Sequence, residues 1–220
     1  MTAMTPLIVG AGPSGLAAAL FLHERGICAR IVDVAMEPTP WSKALGVNPR
    51  TLDMLEASGV TEAILAEGLP IKQVQITNDG RAVATIPLEY AAIGAGHAMT
   101  VLPQARTETL LGEALARRGV HVERGVRLLT LTQDETEVRA DVVHPDGSAE
   151  TVRTPLLLGA DGAHSAVRKA LGIDFAGDSF PETWTLADLD LTGPTSGAIH
   201  LNFGADAPFV AIPNAKQRWR

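Results

Sequence analysis

Cysteine is almost missing from this chain: among 220 residues there is one, Cys28. A single thiol forms no internal disulfide and leaves no cysteine-based metal site. Aromatic residues are scarce too, at 4%, too few for the stacking platform that binds single-stranded nucleic acid. Positive charge is in deficit, with 18 Lys and Arg against 25 Asp and Glu and a formal charge of −7. That balance excludes partners that demand a basic surface, nucleic acid and anionic membrane alike. No apolar run approaches the ~18 residues of a membrane helix, and Met1 to Thr5 carries no basic signal region. Internal repeats and low-complexity stretches are also missing. What is present is an ordinary hydrophobic fraction of 46%, which argues against disorder and suits one domain plus a fragment. A soluble cytoplasmic protein is expected.

Leu7-Ile8-Val9 is an apolar run without alternation, the pattern of a parallel strand buried on both faces. It ends in Gly10-Ala-Gly-Pro-Ser-Gly15, followed by an Ala- and Leu-rich segment stopping at Gly26 and a β-branched run from Ile27 to Val34. Pro6 to Val34 is therefore read as a βαβ unit. Asn48 and Pro49 start a short helix that Gly59 stops, and Thr61 is expected to cap a second, Thr61 to Ala66. Alternation on either side of Asn78-Asp79-Gly80 predicts a β-hairpin over Ile71 to Pro87. Ala91 to His97 is read as a loop, and Pro103 opens an amphipathic helix closed by Gly119. A short strand at Val120 to Val122 and a three-stranded antiparallel meander follow, with a turn at Pro145-Asp146-Gly147. Leu156 to Leu158 is read as another buried strand, and Ser165 to Leu171 as a helix. Strand-like stretches at Glu182 to Leu191, Ala198 to Phe203 and Phe209 to Ile212 suggest a second, mostly β layer from about Phe175.

Gly10, Gly12 and Gly15 have the spacing of a dinucleotide-binding turn. The first glycine permits the tight strand-to-helix turn, the second lets a pyrophosphate approach the backbone, and the third lets helix and strand pack closely. Pro13 and Ser14 open the helix, whose N-terminus offers free N–H groups and a partial positive charge to phosphate. Asp33 follows Gly15 by 18 residues, near the spacing expected of a ribose-binding acid, and Val34 comes next. An acid there suits the unphosphorylated ribose of FAD or NAD and disfavours a 2′-phosphate. A second constellation is Gly159-Ala-Asp161-Gly162-Ala-His-Ser165-Ala-Val-Arg168, a strand feeding an Asp-Gly pair and a helix. Taken alone, Asp161 would serve equally as a helix cap with Arg168 as an ion-pair residue.

The two constellations together resemble the p-hydroxybenzoate-hydroxylase-type, or class A, FAD-dependent aromatic monooxygenases. Lys43-Ala-Leu-Gly-Val-Asn-Pro-Arg-Thr-Leu52 and Leu102-Pro-Gln-Ala-Arg-Thr-Glu108 agree with it, and the resemblance covers nearly the whole chain. It implies FAD on the first glycine motif with Asp33 at the adenosine ribose. Gln104 would reach the ribityl or pyrophosphate region, and Asp161 with Gly162 would serve both FAD and NAD(P)H. Lys43 and Ala44 would run beside the flavin, where Lys43 is either a charge partner or a solvated surface lysine. The partners implied are a small aromatic substrate and O2, with a homodimer as the allowed assembly. The fold implied is α/β: a Rossmann-like FAD-binding domain with a parallel sheet and an antiparallel meander, then the start of a β-rich substrate domain. Residues 1–70 and 98–174 are assigned to the first, residues 71–97 and 175–220 to the second.

The remaining candidates receive plain readings. His23, His121 and His144 are solvated or structural, His97 lies in a loop, and His164 helps to cap a helix. His200 falls on a strand of the expected substrate sheet. Cys28 is assigned to the core, Arg50 to an ion pair or the flavin loop, and no catalytic dyad or metal site is named. The family's third flavin motif, a Gly-Asp segment with a Pro- and Gly-rich follow-on, is not matched, because Gly177-Asp178 lacks that continuation. With the ending at Gln217 to Arg220, this reads as a truncated part of a larger enzyme. The parent activity expected is NAD(P)H-dependent hydroxylation of a phenolic compound. Three alternatives stand beside it: an epoxidase or reductase of the same fold, a non-catalytic flavin-fold module, and an NAD-dependent dehydrogenase. The last predicts regular βα units after Asp33, against which the hairpin and meander argue.

Overall fold

The computed structural model describes residues 5–88, 96–191, 197–205, 207–214 and 218–220. In chain order the elements are β1 (Leu7–Val9), α1 (Pro13–Glu24), β2 (Arg30–Asp33), β3 (Gly46–Val47), α2 (Pro49–Leu55), α3 (Val60–Glu67), β4 (Leu69–Pro70), β5 (Gln73–Asn78), β6 (Arg81–Pro87), β7 (Thr100–Val101) and α4 (Gln104–Ala116). Then come β8 (Val122–Arg124), β9 (Arg127–Gln133), β10 (Val138–Val143), β11 (Ala149–Thr154), β12 (Leu157–Gly159), α5 (Ala166–Ala170), β13 (Leu189–Asp190), β14 (Ala198–Phe203), β15 (Phe209–Ala211), β16 (Pro213–Asn214) and β17 (Arg218–Trp219). They pack as two compact units, Met1–Trp41 with Thr107–Ser179 and Ser42–Arg106 with Phe180–Arg220. These packing units do not share the boundaries assigned above to a flavin and a substrate domain.

The first unit is built on a parallel sheet in the order β12-β1-β2-β8. Its middle strands are apolar because both faces are covered: Leu7, Ile8, Ile31 and Val32 have no exposed surface. The meander β11-β10-β9 supplies the other wall of one core, in which Leu7, Val9 and Val32 meet Val126, Leu128, Leu131, Val142 and Val152. Each such buried aliphatic side chain contributes roughly 1.5–3 kcal/mol over leaving it in water. The next neighbour of β2 in this sheet is β8, far along the chain, so a regular run of βα units does not follow Asp33. The dehydrogenase alternative loses its main expectation there.

In the second unit the hairpin β5–β6 turns at Asp79 and Gly80, both at positive φ (47° and 76°), the geometry that Asx-Gly turns supply. The hairpin joins β14 and β15 in the order β15-β14-β5-β6, with β14 parallel to β5. Asn48 caps α2 as expected, its side chain accepting from the Thr51 N–H at 2.9 Å. A small sheet, β3-β7-β4, puts Leu45, Ile71 and Val101 into a separate core.

Several expectations are corrected. Thr61 is no cap: α3 starts at Val60, and the buried Thr61 hydroxyl donates to the Leu52 carbonyl at 2.5 Å. Leu156 and Leu158 are exposed, by 54% and 40%, because β12 is the outer strand of its sheet. Cys28 is exposed because β2 begins two residues later, at Arg30. The strand expected at Val120 to Val122 lies at Val122–Arg124. Of Glu182 to Leu191 only Leu189–Asp190 is a strand, since pairing there is supplied by β17 alone. Residues 91–95 of the expected Ala91 to His97 loop lie outside the described residues.

Candidate functional site

The glycine loop connects β1 to α1 within the first unit. Gly10 has φ +106°, and a Cβ there would stand 2.3 Å from the Ala160 carbonyl oxygen. A Cβ on Gly15 would lie 2.0 Å from the Gly10 carbonyl oxygen. These two glycines are demanded by the protein's own packing. Gly12 differs, since a Cβ on it would meet nothing within 4 Å. The structure thus leaves an open cradle at the one glycine whose expected role is to face a pyrophosphate. Helix α1 begins there with Pro13 in its first turn, no side-chain cap and no acidic residue. Its partial positive end is left for an anion.

Asp33 closes the other side of the loop. Its Oδ2 accepts from the Ala11 N–H at 2.6 Å and its Oδ1 from the Ala35 N–H at 2.7 Å. One Arg124 nitrogen stands 3.8 Å from Oδ1. The carboxylate is therefore fixed in direction, and each oxygen keeps lone-pair capacity for a further donor. Val34, just beyond, is 59% exposed.

The second constellation meets the first directly, because Ala160 N donates to the Val9 carbonyl at 2.7 Å and Ala160 packs against Gly10. Asp161 points into the start of α5: it accepts from the Ser165 hydroxyl at 2.5 Å, the Ala166 N–H at 2.6 Å and the Val167 N–H at 3.3 Å. Ser165 in turn accepts from the Arg168 N–H at 2.9 Å. The capping reading of Asp161 is the one its side chain fulfils, and the cap is Ser165, while His164 is exposed. Gly162 follows in the left-handed region, with φ +79°. Arg168 makes no ion pair with Asp161. It donates to the Ala163 carbonyl at 2.7 Å and lies 4.7 Å from the centroid of the Phe175 ring.

Lys43, Ala44 and Gln104 belong to the second unit. There Gln104 N donates to the Ala44 carbonyl at 3.0 Å, Leu102 N to that of Leu45 at 2.8 Å, and Ala105 N to the Ser42 hydroxyl at 3.2 Å. The two expected motifs are thus stitched together at the start of α4, with Lys43 exposed. Arg50 is exposed and makes no ion pair among the described residues. His97 Nε2 is 3.9 Å from carboxylate oxygens of both Asp53 and Glu56, and His200 stacks obliquely on Trp219 with centroids 5.6 Å apart. Among the described residues no cluster of His, Cys, Asp and Glu suits a metal ion. Nor is any helix among them long and apolar enough to cross a membrane.

Three groups at the loop escaped the sequence reading: the Ala11 and Ala35 N–H donors and Arg124. The only signal for Arg124 is its place at the end of a strand whose partner is unknown until the sheet order is seen.

A parallel β1-α1-β2 unit with an open glycine cradle and an acid at the end of β2 defines a dinucleotide-binding protein of the Rossmann type. The chain belongs to the FAD binding domain family, whose model matches residues 3–212. It is 36% identical over 97% of its length to 6-methylpretetramide 4-monooxygenase of Streptomyces rimosus, covering 39% of that protein. It is 33% identical over 80% of its length to pentachlorophenol 4-monooxygenase of Sphingobium chlorophenolicum, covering 33% of it. Among solved structures, a flavin-dependent monooxygenase, PieE, in complex with FAD and substrate superposes with a TM-score of 0.83 at 26% identity. That match covers 98% of this chain and 42% of the other. The chain spans about two fifths of the length of the curated relatives matched over nearly all of it. The resemblance to class A aromatic hydroxylases and the expectation of FAD are borne out.

Proposed function

We propose that this chain is the cofactor-binding part of an FAD-dependent, NAD(P)H-consuming monooxygenase that hydroxylates a small phenolic substrate with O2 in the cytoplasm. The observation that carries the reading is the cradle: packing forbids a side chain at Gly10 and Gly15, whereas open space faces Gly12. Relatives named as monooxygenases of a pretetramide and of pentachlorophenol support the reaction class. The bound flavin would supply the redox and oxygen chemistry.

The chain's residues act by binding and orienting. Gly12, Pro13, Ser14 and Gly15 present the N-terminus of α1 to the pyrophosphate, and Asp33 accepts from the adenosine ribose beside Val34. Asp161 fixes the start of α5 and so sets where Gly162 and its backbone N–H face the cofactor. Lys43, Ala44 and Gln104, the last two joined by a backbone hydrogen bond, are assigned to the same cofactor. Residues 1–70 and 98–174 serve the flavin; 71–97 and 175–220 begin the substrate region.

The test is flavin absorbance of the purified chain after incubation with FAD and desalting, set against Gly12→Val. Bands retained by the wild type and lost in the variant support the reading, and equal retention overturns it. NADH and NADPH consumption stimulated by phenols, with a hydroxylated product, then tests the reaction.

A further inference from the structure

The acid at the end of β2 has a cationic neighbour. Parallel pairing of β2 with β8 sets Asp33 opposite Arg124. The backbone just beyond that register is pinned by two hydrogen bonds: Val126 N donates to the Asp33 carbonyl at 3.0 Å and Gly125 N to that of Ala35 at 3.2 Å. Gly125 has φ +74°, and a Cβ on it would stand 2.5 Å from the Met36 sulfur and 2.6 Å from Pro145 Cγ. This packing fixes the backbone that carries Arg124 beside the end of β2.

At 3.8 Å, Arg124 is an ion-pair neighbour of Asp33 and no hydrogen-bond donor to it. It makes no other ion pair or side-chain hydrogen bond among the described residues, and its side chain is 24% exposed. A guanidinium carries five N–H donors in a planar fork suited to phosphate. An Arg at the end of a strand in a dinucleotide fold is also the group that accommodates a 2′-phosphate where the ribose acid does not exclude it. Here both groups stand together. Asp33 holds the negative charge that repels a 2′-phosphate, and it also offsets the positive charge that would attract one.

We propose that Arg124 is a specificity-determining residue of the adenosine subsite, held in check by Asp33, and that the pair admits a ribose 2′-hydroxyl and rejects a 2′-phosphate. This rests on the reading that Asp33 faces the adenosine ribose.

The experiment measures binding of FAD, adenosine 5′-diphosphate and adenosine 2′,5′-bisphosphate by calorimetry. The wild type is compared with Asp33→Ser, Arg124→Gln, Arg124→Lys and the double variant Asp33→Ser with Arg124→Gln. Asp33→Ser weakens the diphosphate by about tenfold, the scale of a lost charge-assisted hydrogen bond. It tightens the 2′,5′-bisphosphate by a similar factor, and the double variant erases that gain. Arg124→Lys keeps part of the gain in the serine background, whereas a purely structural arginine would leave the ratio of the two nucleotides unchanged. If Asp33→Ser and wild type bind the diphosphate equally, or the wild type binds neither it nor FAD, the ribose reading falls and the inference with it. If Asp33→Ser weakens the diphosphate but the bisphosphate gain is missing, or survives in the double variant, the inference alone is overturned.

Discussion

Three glycines of one hexapeptide answer to different constraints, and substitution separates them. Gly15→Ala drives a Cβ to within 2.0 Å of a backbone oxygen, so the strand–helix contact must open. A loss of about 2–4 kcal/mol in urea unfolding is expected. Gly12→Val meets no protein atom near its Cβ, so the fold should survive, within about 1 kcal/mol of wild type, while flavin retention is lost. Melting and flavin absorbance on the same two samples check both halves. This residue-scale logic was legible in the sequence because it is local: a turn between a strand and a helix needs only its own few residues. The partners of Asp33 were not legible. Arg124 lies on a distant stretch and is set opposite Asp33 only by sheet order. The role of Asp161 fell between two readings because a capping acid and a cofactor-facing acid share one signature.

Among the elements, the joint between β2, β8 and β11 is electrostatic. Arg30 on β2 makes bidentate hydrogen bonds of 2.7–2.8 Å to Glu123 on β8 and Glu150 on β11, and His144 Nε2 lies 2.9 Å from Glu150. The hydrogen bond from Arg30, joined by that from His144, holds the Glu150 carboxyl down at about 2, against the 4.5 of a free glutamate. Because the folded value is the lower one, this contribution is full above about pH 4.5 and is lost as the pH falls toward 2. Glu150→Gln should therefore cost stability at pH 7, on the order of 1 kcal/mol for a partly exposed pair. The gap to wild type should narrow steadily between pH 4.5 and pH 2. Urea midpoints across that range decide it, and a gap independent of pH refutes it. Asn48→Ala should remove the cap of α2 and cost about 1 kcal/mol, read the same way. The start of α2 and the hairpin were legible because Asn-Pro and Asn-Asp-Gly carry their own geometry. Leu156 to Leu158 misled because an edge strand and a central one are equally apolar in sequence.

Across the whole molecule, a ligand that binds only the folded chain stabilises it by mass action. FAD at about 100 times its dissociation constant should add about 2.7 kcal/mol. Differential scanning calorimetry should show a rise in melting temperature for wild type and none for Gly12→Val. A rise in both would mean that the flavin is held elsewhere. The division into two packing units was only partly legible, since the chain passes between them at 41/42, 106/107 and 179/180. Pro38-Thr39-Pro40 stands just before the first crossing, whereas the second falls within α4 and carries no mark in the sequence. The parallel sheet of the first unit has a further consequence, felt during synthesis. Strand β1, Leu7–Val9, pairs on one side with β2 and on the other with β12, Leu157–Gly159. At about 5–20 residues per second, the ribosome needs roughly 8–30 s after making the first strand to deliver the last. Through that interval Leu7, Ile8 and Val9 have a neighbour on one side only, and the nascent chain should lean on chaperones until β12 emerges.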